Sequence, residues 1–136
     1  MERTYASIHI GEKESVTKMI TDQVIRTFAD VSDDRNPLHL DEEFAKTSQF
    51  GRRIAHGMIS AGLLSAAQTK YFGDGAVYVS QTMNFRKPVF VDDTLTAWTE
   101  VKEKIDEKHR LIMKSWVENQ NGEVVIEGEA LLKFNR

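Results

Sequence analysis

The 136-residue sequence contains no cysteine, which excludes disulfide bridges, cysteine-ligated metal sites and thiol nucleophiles. It also has no excess of positive charge, because 18 Lys and Arg are outnumbered by 21 Asp and Glu, for a formal net charge of −3. Proteins that bind the phosphate backbone of a nucleic acid normally present a basic surface. We therefore expect no nucleic-acid partner.

Long hydrophobic runs are missing as well. The most apolar stretch, residues 58–67, is interrupted by serine and glycine and is much shorter than the ~20 residues that a membrane-spanning helix needs. The N-terminus opens Met1-Glu2-Arg3-Thr4 and has no apolar segment typical of a secretion signal. These features predict a cytoplasmic protein with no membrane partner.

Proline is scarce, with two residues in the chain, and no repeat or Gly-, Ser- or Pro-rich linker divides the sequence. We therefore predict one domain over residues 1–136. Its first clear element is a helix near residues 21–32. Apolar residues recur there at helical spacing, and Thr21 is a suitable N-cap.

An irregular segment is predicted between this helix and the next long one. Turn-forming residues over 32–40 indicate a loop, because Asp, Asn and Pro cluster there. Asp41 is then placed to cap a short helix that runs through roughly Ser48. A second irregular stretch leads to Ala55.

A central helix is predicted over residues 56–72, where apolar residues lie nearly all round, as is typical of a helix inside a fold. After a turn at residues 73–75 the pattern changes to the alternation of β-strands, and short polar turns between them indicate an antiparallel sheet. The combination is an α+β fold. The alternating apolar positions begin with Val77 and Val79 and continue over 95–101, 111–117 and 124–134.

The predicted loop contains a carboxylate and an imidazole, Asp34 and His39, five positions apart with Asn36 and Pro37 between them. Such a pair can divide a proton transfer on one water molecule, since His titrates near neutrality and desolvation raises the pKa of a carboxyl group. The alternative is that the Asp and Asn side chains form Asx turns and His39 is an ordinary loop residue. Spacing alone favours this alternative.

A second candidate is His56-Gly57 at the start of the central helix. Free N–H groups at a helix N-terminus favour negative charge, and glycine lets a ligand approach the backbone, which would suit a thioester oxyanion. A tight helix entry with His56 as a cap or packing residue explains the pair equally well. Ser65 on the same helix would more often bond back to a carbonyl than contact a ligand. The acidic loop lacks the pattern of a calcium-binding loop, so no metal site is expected.

Two segments together resemble a known family. The first segment follows the end of a predicted helix and reads Asp34-Arg35-Asn36-Pro37-Leu38-His39. The second comes after the irregular stretch and reads Ile54-Ala55-His56-Gly57-Met58. This order is similar to the signature of the MaoC-like (R)-specific enoyl-CoA hydratases, and looser similarity at 84–89 and 92–95 extends it over nearly the whole chain. The resemblance implies a single hot-dog domain, in which a long antiparallel sheet wraps around the central helix and residues 33–55 overhang it.

Position by position, the resemblance assigns the catalytic Asp to Asp34 and the catalytic His to His39. The glycine whose N–H binds the thioester carbonyl corresponds to Gly57, a serine lining the site to Ser65, and loop support to Asn36. The implied reaction is reversible syn addition of water to a trans-2-enoyl-CoA, giving an (R)-3-hydroxyacyl-CoA. No cofactor is implied, because coenzyme A is part of the substrate. His39 would take the proton of water, and Asp34 or the same water would deliver a proton to Cα.

One position departs from the family pattern, because Arg53 stands where many relatives have proline before Ile54. Arg52 and Arg53 are interpreted either as contacts to coenzyme A phosphates or as ordinary surface arginines. The alternative functions are a dehydratase acting on 3-hydroxyacyl carrier protein, a thioesterase, and a non-catalytic acyl-thioester binding module; the Asp-x-Asn-Pro-x-His loop favours hydration. The family joins two sheets edge to edge, and a small open sheet has edges that need cover, so we expect a homodimer.

Overall fold

The computed structural model describes residues 3–134, so the outermost residues of the predicted 1–136 domain lie outside the described part. Within residues 3–134 an antiparallel sheet of six strands curls around one long helix. The strands are β1 (Lys13–Met19), β2 (Ala76–Gln81), β3 (Asn84–Phe85), β4 (Thr94–Ile105), β5 (Arg110–Glu118) and β6 (Val124–Phe134). The α-helices are α1 (Asp22–Ser32), α2 (Pro37–Leu40), α3 (Glu42–Lys46) and α4 (Gly57–Phe72).

Both predicted helix starts in the first third of the chain are confirmed. The Thr21 hydroxyl accepts a hydrogen bond from the third residue of α1, and the Asp41 carboxylate accepts from the N–H groups of Glu43 and Phe44 in α3. The loop predicted over 32–40 is wrong at its end, where α2 forms one helical turn. Proline is favourable at the first helical position, because its missing N–H would have no partner there, and Asn36 caps the turn.

The central helix is confirmed as α4, with His56 as its N-cap residue. The sheet covers one side of this helix, and the other side is partly exposed although its residues are apolar nearly all round. Met58 is 53% exposed, and Ser65 and Ala66 are also exposed. None of the helices in the described part is long and apolar enough to cross a membrane. The buried face of α4 carries Ile59, Ser60, Leu64, Ala67, Gln68 and Phe72.

The sheet is antiparallel, as predicted, with the strand order β1-β4-β5-β6-β2 and β3 paired to β6. The sequence pattern did not reveal β1, because this edge strand carries mainly polar side chains. Val77 and Val79, two of the alternating apolar positions, are 51% and 54% exposed, while Tyr78 between them is half-buried. Val124, which alternation places on one face of the last strand with Ile126, is likewise exposed, whereas Ile126 is buried. Strand alternation fixes only that residues two apart share a face; which face is covered depends on the helix.

The core between the sheet and α4 consists of two apolar clusters. One contains Ile59 and Ile126 and lies beneath the segment of residues 33–55; the other contains Phe72 and Phe134. The first cluster supports the irregular segment that carries the candidate functional residues.

Candidate active site

The irregular segment brings Asp34 and His39 together with His56, so that one polar atom of each side chain lies within 4.8 Å of the others. Helix α1 ends because Asp33 adopts the left-handed conformation, with φ of 61°, a conformation that Asp tolerates better than most residues. The next residue is Asp34. The short helix α2 then carries His39, and His56 immediately precedes α4.

The His39 ring is held in one tautomer. Its Nδ1 lies 2.8 Å from the carbonyl oxygen of Ile54. A carbonyl oxygen only accepts hydrogen bonds, so Nδ1 carries the hydrogen and Nε2 of the neutral ring is free to accept. Partial burial lowers the pKa of His39, an effect that the Ile54 hydrogen bond and the Asp34 charge only partly oppose. The ring is therefore neutral at pH 7, as a general base requires.

His56 is a buried companion of this histidine. Its Nε2 donates to the backbone carbonyl of Asp34 at 2.9 Å, and its ring centroid lies 4.0 Å from that of His39. The side chain makes no cap hydrogen bond, so it serves the segment before it rather than the helix after it. From the sequence, His56 was only a cap or packing residue, and its link to Asp34 spans 22 positions that no local pattern could relate.

Asp34 is exposed, and its Oδ1 accepts a long hydrogen bond, 3.4 Å, from the N–H of Asn36. The Asx turn proposed as the alternative to a catalytic role is therefore present. The turn does not exclude a catalytic role, because the same carboxylate also lies beside the two histidines. Asp33 is not part of that cluster within the described residues.

The distances between the polar atoms of Asp34, His39 and His56 suit a bound water molecule. Two hydrogen bonds of about 2.8 Å, meeting at a tetrahedral angle on one oxygen, span about 4.6 Å. Ligands of a tetrahedral zinc ion lie closer, about 3.3 Å apart for bonds of ~2.0 Å. The spacing of the three polar atoms, up to 4.8 Å, therefore fits a water molecule better than a metal ion.

A cavity of about 570 Å³ opens beside these residues, and His39, Gly57 and the buried Ser60 line it. Asp34 is not among the described residues of its wall. Two cations, Arg86 and Lys87, also line the cavity, and each is paired with a glutamate of β6 or of the turn before it. The remaining lining residues are apolar: Phe50, Ile54, Ala55, Met58, Phe85, Pro88, Val89 and Ile126.

Gly57 is the first residue of α4, so its N–H has no partner four residues earlier in the helix and is available to a ligand. A side chain there would collide with Phe85, because a Cβ would lie 2.5 Å from its Cε1. The structure does not bring Ser65 to the cavity. Ser60 lines the cavity, and residue 65 lies about 140° away from it around a helix. Ser65 therefore points in another direction.

The two arginines before α4 have different environments. Arg53 is only 9% exposed, and its Nε donates to the carbonyl oxygen of His39 at 2.8 Å. Its terminal nitrogen contacts Oδ1 of Asp22 at 2.5 Å. The surface interpretation is therefore wrong for Arg53. Arg52 is exposed, and its guanidinium group lies over the Phe90 ring, 3.6 Å from the centroid.

Sequence similarity to known proteins identifies the family of this chain. The MaoC-like domain model matches residues 7–122. The chain belongs to the MaoC-like family. A 3-hydroxybutyryl-CoA dehydratase of Methylorubrum extorquens is 43% identical over 95% of this chain and 82% of the relative. An (R)-specific enoyl-CoA hydratase of Rhodospirillum rubrum is 42% identical over 93% of this chain and 88% of the relative.

Solved structures of MaoC-like proteins show the same fold. The unliganded R-hydratase PhaJ1 from Pseudomonas aeruginosa superimposes with a TM-score of 0.90 and is 42% identical. The match covers 96% of this chain and 84% of that chain. The hot-dog fold predicted from the resemblance is confirmed.

Proposed function

We propose that this MaoC-like protein is an (R)-specific enoyl-CoA hydratase, which adds water reversibly and syn to a trans-2-enoyl-CoA to give an (R)-3-hydroxyacyl-CoA. The observation that carries the proposal is the cluster of Asp34, His39 and His56 beside an apolar cavity that Gly57 also lines. The names of the two relatives support it, because a hydratase and a dehydratase catalyse the two directions of one reaction.

In hydration, one water molecule lies between the Asp34 carboxylate and Nε2 of His39. As the water oxygen bonds to Cβ, Nε2 takes one of its protons, which the neutral ring can accept. The electron pair of the double bond moves toward the thioester carbonyl, and the proton that left the water is then delivered to Cα through Asp34. The second proton of the water stays on its oxygen as the product hydroxyl. The carbon–sulfur bond stays intact throughout.

The N–H of Gly57 stabilises the negative charge that develops on the thioester oxygen. A preorganised backbone donor of this kind contributes about 3 to 4 kcal/mol to transition-state binding in comparable sites. Asn36 supports the loop by capping α2, with its Oδ1 accepting from Leu38 N–H at 3.0 Å. For the serine of the site we assign Ser60 to the cavity wall in place of Ser65.

A single assay separates hydration from the other reactions. Purified protein and crotonyl-CoA should lose the absorbance of the conjugated enoyl thioester, release no free thiol, and yield the R enantiomer of 3-hydroxybutyryl-CoA. Release of thiol would indicate a thioesterase, and saturable binding without turnover would indicate a binding module. Either result would overturn the proposed function.

The choice of carrier is a second part of the proposal. We assign coenzyme A rather than acyl carrier protein, supported by the CoA substrates in the names of both relatives. Comparing kcat/KM for crotonyl-CoA and for crotonyl-acyl carrier protein tests this choice. A higher value for the carrier protein would reassign the enzyme as a dehydratase of fatty-acid synthesis type without changing the chemistry.

The remaining parts of the proposal concern assembly and setting. We propose a homodimer, supported by the exposed Val77 and Val79 on β2, which lies at an edge of the sheet. One domain over residues 1–136 is supported by a family match that spans 7–122. The proposed reaction consumes only water and the thioester, so we propose no cofactor. A cytoplasmic location stays a prediction from the sequence.

A further inference from the structure

The short helix α2, which carries His39, has too few residues to stabilise itself through its own hydrogen bonds. All four of its carbonyl groups nevertheless accept a hydrogen bond. Those of Pro37 and Leu38 accept from the backbone N–H groups of Asp41 and Ile54, at 2.8 and 3.4 Å. The carbonyls of its last two residues, His39 among them, accept from arginine side chains instead.

The two arginines share one carboxylate. Arg53 donates from Nε to the carbonyl oxygen of His39 at 2.8 Å, and Arg26 donates to that of Leu40 at 3.4 Å. Asp22, at the start of α1, accepts from Arg53 on one oxygen at 2.5 Å and from Arg26 on the other at 2.9 Å. Hydrogen bonds from both arginines lower the pKa of Asp22, so it is ionised at neutral pH.

We propose that Arg53, oriented by Asp22, is a positioning residue for His39, an inference that rests on the proposed hydratase function. Residues 53 and 54 hold His39 at two points: the Arg53 guanidinium fixes its main-chain carbonyl, and the Ile54 carbonyl fixes Nδ1 of its ring. The direction of Nε2, the atom that takes the proton from water, follows from these two contacts.

The environment of Arg53 distinguishes it from an ordinary surface cation. An arginine that is 9% exposed loses most of the hydration of its guanidinium, which is costly unless its charge-assisted hydrogen bonds are well placed. Its planar fork meets two acceptors, the His39 carbonyl and Asp22, in fixed directions. Lysine has a single ammonium group and cannot reproduce that geometry.

The test compares Arg53→Met and Arg53→Lys with the unaltered protein, using crotonyl-CoA hydration and an NMR titration of the His39 imidazole. We expect Arg53→Met to lower kcat by up to about 100-fold with KM nearly unchanged, because misplacing a catalytic group by ~1 Å has an effect of this size. Arg53→Lys should give an intermediate kcat, since lysine can satisfy one of the two acceptors.

The titration of His39 separates the effect of a moved ring on its pKa from the effect of a lost positive charge. The charged or titratable groups that face His39 are Asp34, His56 and Arg53 itself, and partial burial is the main cause of its lowered pKa. A loosened turn hydrates the ring and raises the pKa of His39. Arg53→Met also removes a positive charge, which acts in the same direction, whereas Arg53→Lys retains the charge. A raised pKa in the lysine variant therefore reports a change of position.

Two further variants complete the design. Lys46→Met removes an exposed ion pair with Glu43 on α3, in the same irregular segment, and should leave kcat and the His39 titration unchanged. Asp22→Asn added to Arg53→Met should lower kcat little further, because Asp22 reaches the His39 carbonyl through Arg53, and that contact is already lost.

The proposal is overturned if Arg53→Met keeps its kcat and its His39 pKa. It is equally overturned if the loss of kcat equals the loss of folded protein while the His39 pKa of the folded fraction stays in place, since the role would then be structural. If the unaltered protein does not hydrate crotonyl-CoA, the hydratase function fails, and the titration alone still decides whether Arg53 positions His39.

Discussion

The exchange of Asp34 for Asn tests whether this carboxylate handles a proton or only shapes a turn. Asn has the same size and retains the Oδ1 atom that accepts the 3.4 Å hydrogen bond from the N–H of Asn36. Asp34 is exposed, and its main-chain carbonyl, which accepts from His56, is untouched by the substitution. We therefore expect the free energy of unfolding to change by no more than about 0.5 kcal/mol.

The effect on activity should be much larger. Asn cannot exchange a proton, and it removes the negative charge that faces His39 and favours the imidazolium formed during hydration. Loss of a general acid or base typically lowers the rate by ~10²–10⁴-fold. At about 1.4 kcal/mol for each factor of ten, this equals about 3 to 5 kcal/mol of lost transition-state stabilisation, several times the expected change in stability.

The assay is the hydration of crotonyl-CoA, measured together with the thermal melting of each variant. Asp33→Asn is the matched control, because it makes the same chemical change one residue earlier in the chain. Asp33 has a φ of 61°, a conformation that Asn tolerates well, and it lies outside the cluster with the two histidines. Loss of activity in the Asp33 variant alone would show that the wrong carboxylate was assigned. Full activity in both variants would refute the proposed proton transfer by Asp34 and His39.

Four other outcomes are expected. Gly57→Ala should lower kcat, because a methyl group beside the N–H obstructs the approach of the thioester carbonyl. The protein should stay folded, since the atoms nearest to the new Cβ belong to the exposed Phe85 ring, which can move aside; unchanged activity would remove the oxyanion role. The acid limb of kcat/KM should have its midpoint below 6.5, since burial lowers the pKa of His39 and protonation of this base abolishes activity as the pH falls; a midpoint above 6.5 would contradict this. Asn36→Ala should lower the unfolding free energy by about 1 kcal/mol, as loss of a helix cap does, in a chemical denaturation measurement. Light scattering should give twice the 15.5 kDa of one chain, and a monomer mass would contradict the proposed homodimer.

Local sequence patterns were sufficient for the order and type of most elements. Thr21 and Asp41 cap the helices that their spacing predicts, and alternation marks the long strands, because capping and pleating involve neighbouring residues. The motif from Asp34 to His39 was also visible. Spacing alone, however, left it as a turn, and only the resemblance to the MaoC-like family assigned it a reaction.

Tertiary structure decided what depends on residues far apart in the chain. Whether Val77 faces the core, or which serine of α4 meets the cavity, follows from where the sheet and the helix come into contact. The contacts of His56 with Asp34 and of Arg53 with Asp22 span 22 and 31 positions. No periodic pattern encodes such pairs, because they form only when the irregular segment folds back over the start of α4. The sequence by itself therefore determined which chemical groups are present, and the three-dimensional packing determined which of them meet.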